Sequence, residues 1–118
     1  MLVSSNLFKK SSKSRKVRCE ICANYCKIAD GSYGICKQHK NINGELFDES
    51  FGVVSSLNAD PIEKKPLYHF LPGTLTYSVG GFGCNMGCLH CQNYMISQEF
   101  DKISDRFNIL PETIVENA

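Results

Sequence analysis

The chain lacks any apolar run long enough to span a membrane, and its first 16 residues lack the apolar core of a secretory signal. We therefore expect neither an integral membrane protein nor an exported one, and we place the chain in the cytoplasm. The first 18 residues also lack acidic side chains and carry a net charge of +6. The remaining 100 residues carry 7 basic and 12 acidic residues, so their net charge is −5.

The basic segment is rich in serine as well as in lysine and arginine. This composition is typical of disorder, and it predicts a disordered basic tail over residues 1–18. No aromatic platform or base-reading element accompanies the charges. We interpret the tail as a solvated extension and expect no nucleic-acid partner.

The seven cysteines are odd in number, so they cannot all form disulfides within the chain. In a reducing compartment, cysteine clusters hold metal more often than they form disulfides. The cysteines fall into a group of four and a group of three, separated by almost fifty residues: Cys19, Cys22, Cys26 and Cys36, then Cys84, Cys88 and Cys91. We therefore predict two metal sites.

The first group defines a cysteine-rich module over residues 19–58, where turns bring four thiols together. A four-cysteine structural zinc site is our first interpretation. An auxiliary iron–sulfur cluster is the alternative, because ligand type alone does not separate zinc from iron. His39 is an alternative ligand in place of Cys36, although we interpret it as a polar residue before a hairpin. The hairpin turn is predicted at Asn43–Gly44, with strands over Ile35–Ile42 and Glu45–Leu57.

Three prolines exclude a long helix from residues 59–73, which we interpret as an extended connector without a catalytic role. Alternating polar and apolar residues predict a strand over Thr74–Val79. Glycines then break the strand, and Pro111 suits the first turn of a helix that begins after Leu110.

The second group, Cys84-x3-Cys88-x2-Cys91, lets one short loop direct three thiolates to a common centre. A cubane iron–sulfur cluster is usually held by four thiolates, so three ligands leave one iron open. A zinc site completed by His90 is the alternative. His90 lies between two of the cysteines, which makes simultaneous ligation sterically awkward.

At these residues the sequence resembles the radical S-adenosylmethionine superfamily, whose signature is a C-x3-C-x2-C loop after the first barrel strand. It is most similar to the radical enzymes of the AmmeMemoRadiSam system, which are themselves similar to pyruvate formate-lyase activating enzymes. The resemblance is carried by Cys19-x2-Cys22-x3-Cys26, Gly31-x2-Gly34-x-Cys36, residues 60–73, residues 83–93 and Ile96-Ser97-Gln98.

The resemblance implies an α/β fold over residues 74–118: the first strand, cluster loop and first helix of a partial βα barrel, preceded by the small cysteine-rich metal-binding β module. It implies that Cys84, Cys88 and Cys91 hold a 4Fe-4S cluster whose open iron binds S-adenosyl-L-methionine, and that the cofactor is cleaved to a 5′-deoxyadenosyl radical. His90 and Asn85 would lie near the cluster or the cofactor. An electron donor and a substrate would be partners.

The chain is shorter than this family pattern requires. A full βα barrel takes about 250 residues, and only 45 residues follow from Thr74 to the end of the sequence. We therefore expect a fragment, a truncated product or one part of a split enzyme, with a separate chain as the source of the remaining barrel. The alternative is a non-catalytic zinc-binding or iron–sulfur-binding fragment.

Overall fold

The computed structural model describes residues 2–103 and 106–118. Short strands dominate this part of the chain: β1 Val3–Ser4, β2 Phe8–Lys10, β3 Val17–Cys19, β4 Lys27–Ile28, β5 His39–Ile42, β6 Glu45–Asp48, β7 Val53–Val54, β8 Ser56–Pro61, β9 Leu75–Gly80 and β10 Phe107–Asn108. The helices are α1 Tyr94–Ser97 and α2 Pro111–Glu116, with single 3-10 turns at Ile62–Lys64 and Phe100–Lys102. With six residues at most, no helix in these ranges is long or apolar enough to cross a membrane.

The sheets are small and antiparallel, with strand orders β2-β3-β4, β1-β6-β5, β7-β10 and β8-β9. The expected start of a βα barrel is therefore wrong. A strand does occupy Leu75–Gly80, but it pairs antiparallel with the Ser56–Pro61 strand. Barrel strands would be parallel and joined by helical crossovers. Here the intervening residues 62–74 instead turn the chain back, so β9 completes a two-stranded ribbon.

The strands near the N-terminus pack around an apolar core. Leu46 is completely buried, and Val17, Cys19 and Ile28 are each less than 7% exposed. Phe8 packs against this cluster. In place of the expected disordered tail, residues 2–18 thus contain β1, β2 and most of β3.

Alternation explains why this basic segment is ordered. Val17 faces the core, while the neighbouring Arg18 is exposed. On the solvent side, the ammonium of Lys9 lies 3.1 Å from a carboxylate oxygen of Glu20, and that of Lys10 lies 3.2 Å from Glu45. The charges therefore remain in water while Val17 is buried and Phe8 is half-buried.

A buried asparagine joins the two sheets of this module. The Asn41 side chain is 0% exposed, and its amide nitrogen donates to the carbonyls of Arg15 and Ile28 at 2.7 and 2.9 Å. Its carbonyl oxygen accepts from the Gly44 amide at 2.9 Å. Because every one of these bonds goes to the backbone, Asn41 holds the loop before β3, strand β4 and the β5–β6 turn in one arrangement.

The hairpin predicted at Asn43–Gly44 is present, since Ile42 pairs with Glu45 across a two-residue turn. Both turn residues have positive φ, 54° and 84°, as the hairpin geometry requires. The strand predicted over Glu45–Leu57 is instead interrupted after Asp48 by a turn that contains Gly52, whose φ is 72°. The predicted helix after Leu110 is α2, with proline at its start.

Candidate metal centres

The four N-terminal cysteines line one cavity of about 180 Å³. Cys19 ends β3, and its backbone N–H donates to the Cys26 carbonyl at 2.9 Å. Cys22 lies in the turn between them, and Cys36 comes from the turn before β5. The β3–β4 pair and the following turn thus place the four cysteines around a common space.

Two turns carry backbone strain beside these cysteines. In the first, the Tyr25 N–H donates to the Cys22 carbonyl at 3.2 Å, and Tyr25 has a φ of 44°. In the second, the Lys37 N–H donates to the Gly34 carbonyl at 2.9 Å, and Lys37 has a φ of 57°. A left-handed conformation costs a residue with a side chain about 1–2 kcal/mol, and such strain clusters at functional sites.

His39 lies in the same cavity, with Nδ1 3.3 Å from the Cys36 sulfur. This hydrogen bond is the main reason that the pKa of His39 is raised, and burial opposes the rise. Burial likewise opposes ionisation of Cys36, but the His39 hydrogen bond and the backbone amides of Gln38 and His39 together lower the pKa of its thiol. The pair therefore favours a thiolate beside an imidazolium.

We expected His39 to precede a hairpin rather than to replace Cys36 as a ligand, but its place in this cavity makes it a fifth possible donor. The Cys36-x2-His39 spacing is the signal in the sequence for that role. Cys19 behaves differently from Cys36, since burial raises the pKa of its thiol. The neighbouring thiols raise it further by charge repulsion. A bound cation would offset both effects.

The three later cysteines lie on a closed loop. The Gly83 N–H donates to the Ile96 carbonyl at 2.9 Å, and the Gln98 side-chain amide donates to the Met86 carbonyl at 2.7 Å. The Met86 N–H points to the Cys84 sulfur at 3.4 Å, and the Cys91 sulfur lies 3.5 Å from the Ser97 hydroxyl. All three thiols are free and partly exposed. We call residues 84–91 the triplet loop.

Both cysteine groups offer donor atoms that bind metal ions, but in neither group do the sulfur atoms surround a common point. In the part of the chain that the structure describes, no three His, Cys, Asp or Glu side chains converge closely enough to hold one ion. For zinc, the N-terminal thiols would have to rotate into their shared cavity. A cubane binds each thiolate to a different iron, so its ligands stand further apart. Open space at Gly81 and Gly87, where an added Cβ would meet nothing within 4 Å, leaves room beside the triplet loop.

Asn85 and His90, both expected near a cluster or cofactor, have different surroundings. Asn85 lines the N-terminal cysteine cavity, and its carbonyl accepts a hydrogen bond of 2.8 Å from the Asn24 side chain. His90 is exposed on the triplet loop. The two cysteine groups are therefore neighbours in space, which sequence analysis did not anticipate.

Comparison with known proteins gives one informative relative. No protein-family model matches the chain. No solved structure matches it either. The chain is 49% identical over 113 residues to "Uncharacterized protein MJ0808" of Methanocaldococcus jannaschii. The alignment covers 95% of this chain and 34% of that protein, so the chain spans about a third of the relative's length. Both cysteine groups lie within the similar region, because they are more than 15 residues from either end of the sequence.

Proposed function

We propose that the chain carries the cluster-binding loop of a radical S-adenosylmethionine enzyme, with Cys84, Cys88 and Cys91 as ligands of a 4Fe-4S cluster. The observation that carries this proposal is the arrangement of three free thiols on one loop, closed by hydrogen bonds at Gly83 and Gln98. Three thiolates satisfy three irons of a cubane and leave the fourth for a cofactor. The resemblance of the loop to the superfamily signature supports the same assignment.

When bound, such a cluster supplies the electron for reductive cleavage of S-adenosylmethionine to methionine and a 5′-deoxyadenosyl radical. The residues of this chain would hold and tune it. The Met86 N–H lies 3.4 Å from the Cys84 sulfur and the Ser97 hydroxyl 3.5 Å from the Cys91 sulfur, so both groups would lie beside ligand sulfurs of the cluster. Hydrogen bonds to cluster sulfurs and solvent exposure both set the reduction potential.

The relative is about three times as long as this chain. We therefore assign to the described residues the cluster ligands and their support, and we infer that groups binding the rest of the cofactor and the substrate lie outside them. An electron donor and a substrate are implied partners.

The four N-terminal cysteines are proposed as a second, structural metal site. Their shared cavity, the strained turns at Tyr25 and Lys37, and the thiolate-favouring environment of Cys36 support it. Zinc is our first choice and an auxiliary iron–sulfur cluster the alternative. The alternative function is a non-catalytic metal-binding module, in which the N-terminal cysteines form the only metal site. The observation that favours it is that the N-terminal strands have a buried core, whereas the triplet loop is exposed.

Anaerobic reconstitution with iron and sulfide, followed by metal analysis, tests both assignments. We expect Cys84→Ser to lose most of about four irons per chain while zinc is unchanged. The matched control Cys22→Ser should lose zinc and keep iron. Addition of S-adenosylmethionine should change the electron paramagnetic resonance spectrum of the reduced cluster. Equal iron in wild type and Cys84→Ser would overturn the cluster assignment, and loss of iron with zinc unchanged in Cys22→Ser would overturn zinc.

A further inference from the structure

The turn that carries Cys22 and Cys26 contacts the loop that carries Cys84. Asn24 lies between the two N-terminal cysteines, and its side-chain amide donates to the Asn85 carbonyl at 2.8 Å. Asn85 directly follows Cys84. At both of its ends, this hydrogen bond thus involves a residue within two positions of a possible metal ligand.

A second contact joins Cys36 to the same loop. The backbone at Gly83 lies so close to the N-terminal module that an added Cβ would be 2.6 Å from the Cys36 carbonyl oxygen. It would also lie 2.6 Å from the side-chain amide nitrogen of Gln38. Gly83 has a φ of 78° and immediately precedes Cys84. Only glycine satisfies both the backbone angle and the close approach.

A third contact runs through Lys37. Its ammonium donates to the Gln98 carbonyl at 2.9 Å and lies 3.5 Å from an Asp101 carboxylate oxygen. The side chain of the same Gln98 donates to the Met86 carbonyl in the triplet loop. Lys37 directly follows Cys36, so this path again begins beside a possible metal ligand and ends inside the triplet loop.

The triplet loop has little else to hold it. Residues 83–99 include no buried side chain, and Leu89 at the loop tip is fully exposed. Such a segment opens at low free energy unless outside contacts restrain it. The three contacts that restrain it come from the turns that carry Cys22, Cys26 and Cys36.

We propose that metal binding at the N-terminal cysteines orders the triplet loop, with Asn24 as the positioning residue that transmits the effect. This inference rests on the proposed N-terminal metal site and not on the cluster. An ion bound by Cys22, Cys26 and Cys36 would hold both turns in one conformation. The Asn24 amide and the Lys37 ammonium would then meet the loop at fixed positions, so the three cluster thiols would be arranged before iron arrives.

The test uses zinc alone, in the full chain with Cys84→Ser, Cys88→Ser and Cys91→Ser, so that only the N-terminal group can bind it. Hydrogen exchange of residues 84–91 is followed by mass spectrometry with and without one equivalent of zinc. We expect zinc to slow exchange about fivefold, the factor typical of one hydrogen bond. Adding Asn24→Asp, which keeps the shape but removes the donor, should abolish the slowing while zinc stoichiometry is unchanged.

Asn24→Gln, which keeps the donor, should preserve most of the slowing and thereby separates a lost hydrogen bond from a general effect of substitution. Zinc binding without protection of residues 84–91 would overturn the proposal, as would equal protection in the triple-serine chain with and without Asn24→Asp. Absence of zinc binding would overturn it too. Because no iron is used, failure here is distinct from failure of the cluster assignment, which is read from iron in Cys84→Ser.

Discussion

The two cysteine groups differ in what lies behind them. The N-terminal group is attached to strands that bury Val17, Ile28 and Leu46, and the buried Asn41 side chain joins these strands by hydrogen bonds to the backbone. The triplet loop lies in a stretch, residues 83–99, with no buried side chain. Only the rings of Phe82 and Phe100 at its two ends, 5.9 Å apart, belong to a packed region.

This contrast indicates that the two cysteine groups suit different kinds of ligand. A packed core orders the strands behind a site, so that a structural ion has only the turns between them to fix. An exposed loop can admit a bulky cofactor, but it must be positioned from outside.

We expect the largest difference between the two regions when a buried and an exposed leucine are each truncated to alanine. Leu46→Ala removes a completely buried side chain, and we expect it to lower the free energy of unfolding by about 2–5 kcal/mol. Leu89→Ala in the triplet loop, where the side chain is fully exposed, should change it by less than about 0.5 kcal/mol. Urea unfolding of the zinc-loaded chain, followed by tyrosine fluorescence, measures both. Equal losses would contradict the contrast.

Asn41→Ala tests whether polar contacts support the same core. The substitution leaves the Arg15 and Ile28 carbonyls and the Gly44 amide without their partner, and we expect a loss of about 2–3 kcal/mol. The control is Asn58→Ala, at an exposed position of β8. Urea unfolding again gives the comparison. A change in Asn41→Ala as small as in the control would show that water replaces these bonds.

Two glycines with nearly the same φ allow a sharper test of the link between the regions. Gly83 and Gly73 have φ of 78° and 79°, so alanine at either position costs about 1–2 kcal/mol of backbone strain. An added Cβ meets the Cys36 carbonyl at Gly83 and nothing within 4 Å at Gly73. Hydrogen exchange in residues 84–91 should therefore be faster in Gly83→Ala and unchanged in Gly73→Ala. Similar exchange in both variants would refute the close contact.

The smallest effect is expected at Asp60, outside both cysteine groups. The Lys64 ammonium, 2.8 Å away, holds the pKa of this carboxyl below its usual value of about 4. The folded pKa is depressed, so the stabilisation is present above the unfolded pKa and is lost as pH falls through the folded pKa. Wild type should therefore lose slightly more stability than Asp60→Asn on acidification below about pH 4, measured by thermal unfolding. Parallel pH profiles would exclude this contribution.

Several local features were predictable from short stretches of sequence. Asn43–Gly44 specifies a two-residue hairpin turn because both residues tolerate positive φ. Pro111 marks the start of α2 because the first residue of a helix needs no N–H donor, so proline loses no hydrogen bond there. The strand near Thr74–Val79 follows from its alternating pattern. In each case the determinant lies within a few residues of the structure it produces.

Strand pairing was not predictable in the same way. The basic charge of residues 1–18 favoured disorder, yet Phe8 and Val17 find a core supplied by Ile28 and Leu46. The β9 strand matched a barrel pattern, yet it pairs with β8. A strand's own sequence defines its two faces but not its neighbour, because pairing depends on which distant segment covers the apolar face.

The sequence by itself determined the division of seven cysteines into four and three and the sulfur donors that each group offers. Only the tertiary structure decided that the two groups are adjacent, with Asn24 against Asn85 and Gly83 against Cys36, and that His39 joins the first group. Ligand identity is a property of single residues. Adjacency across about sixty residues depends on antiparallel pairing and packing of segments that are far apart in the chain.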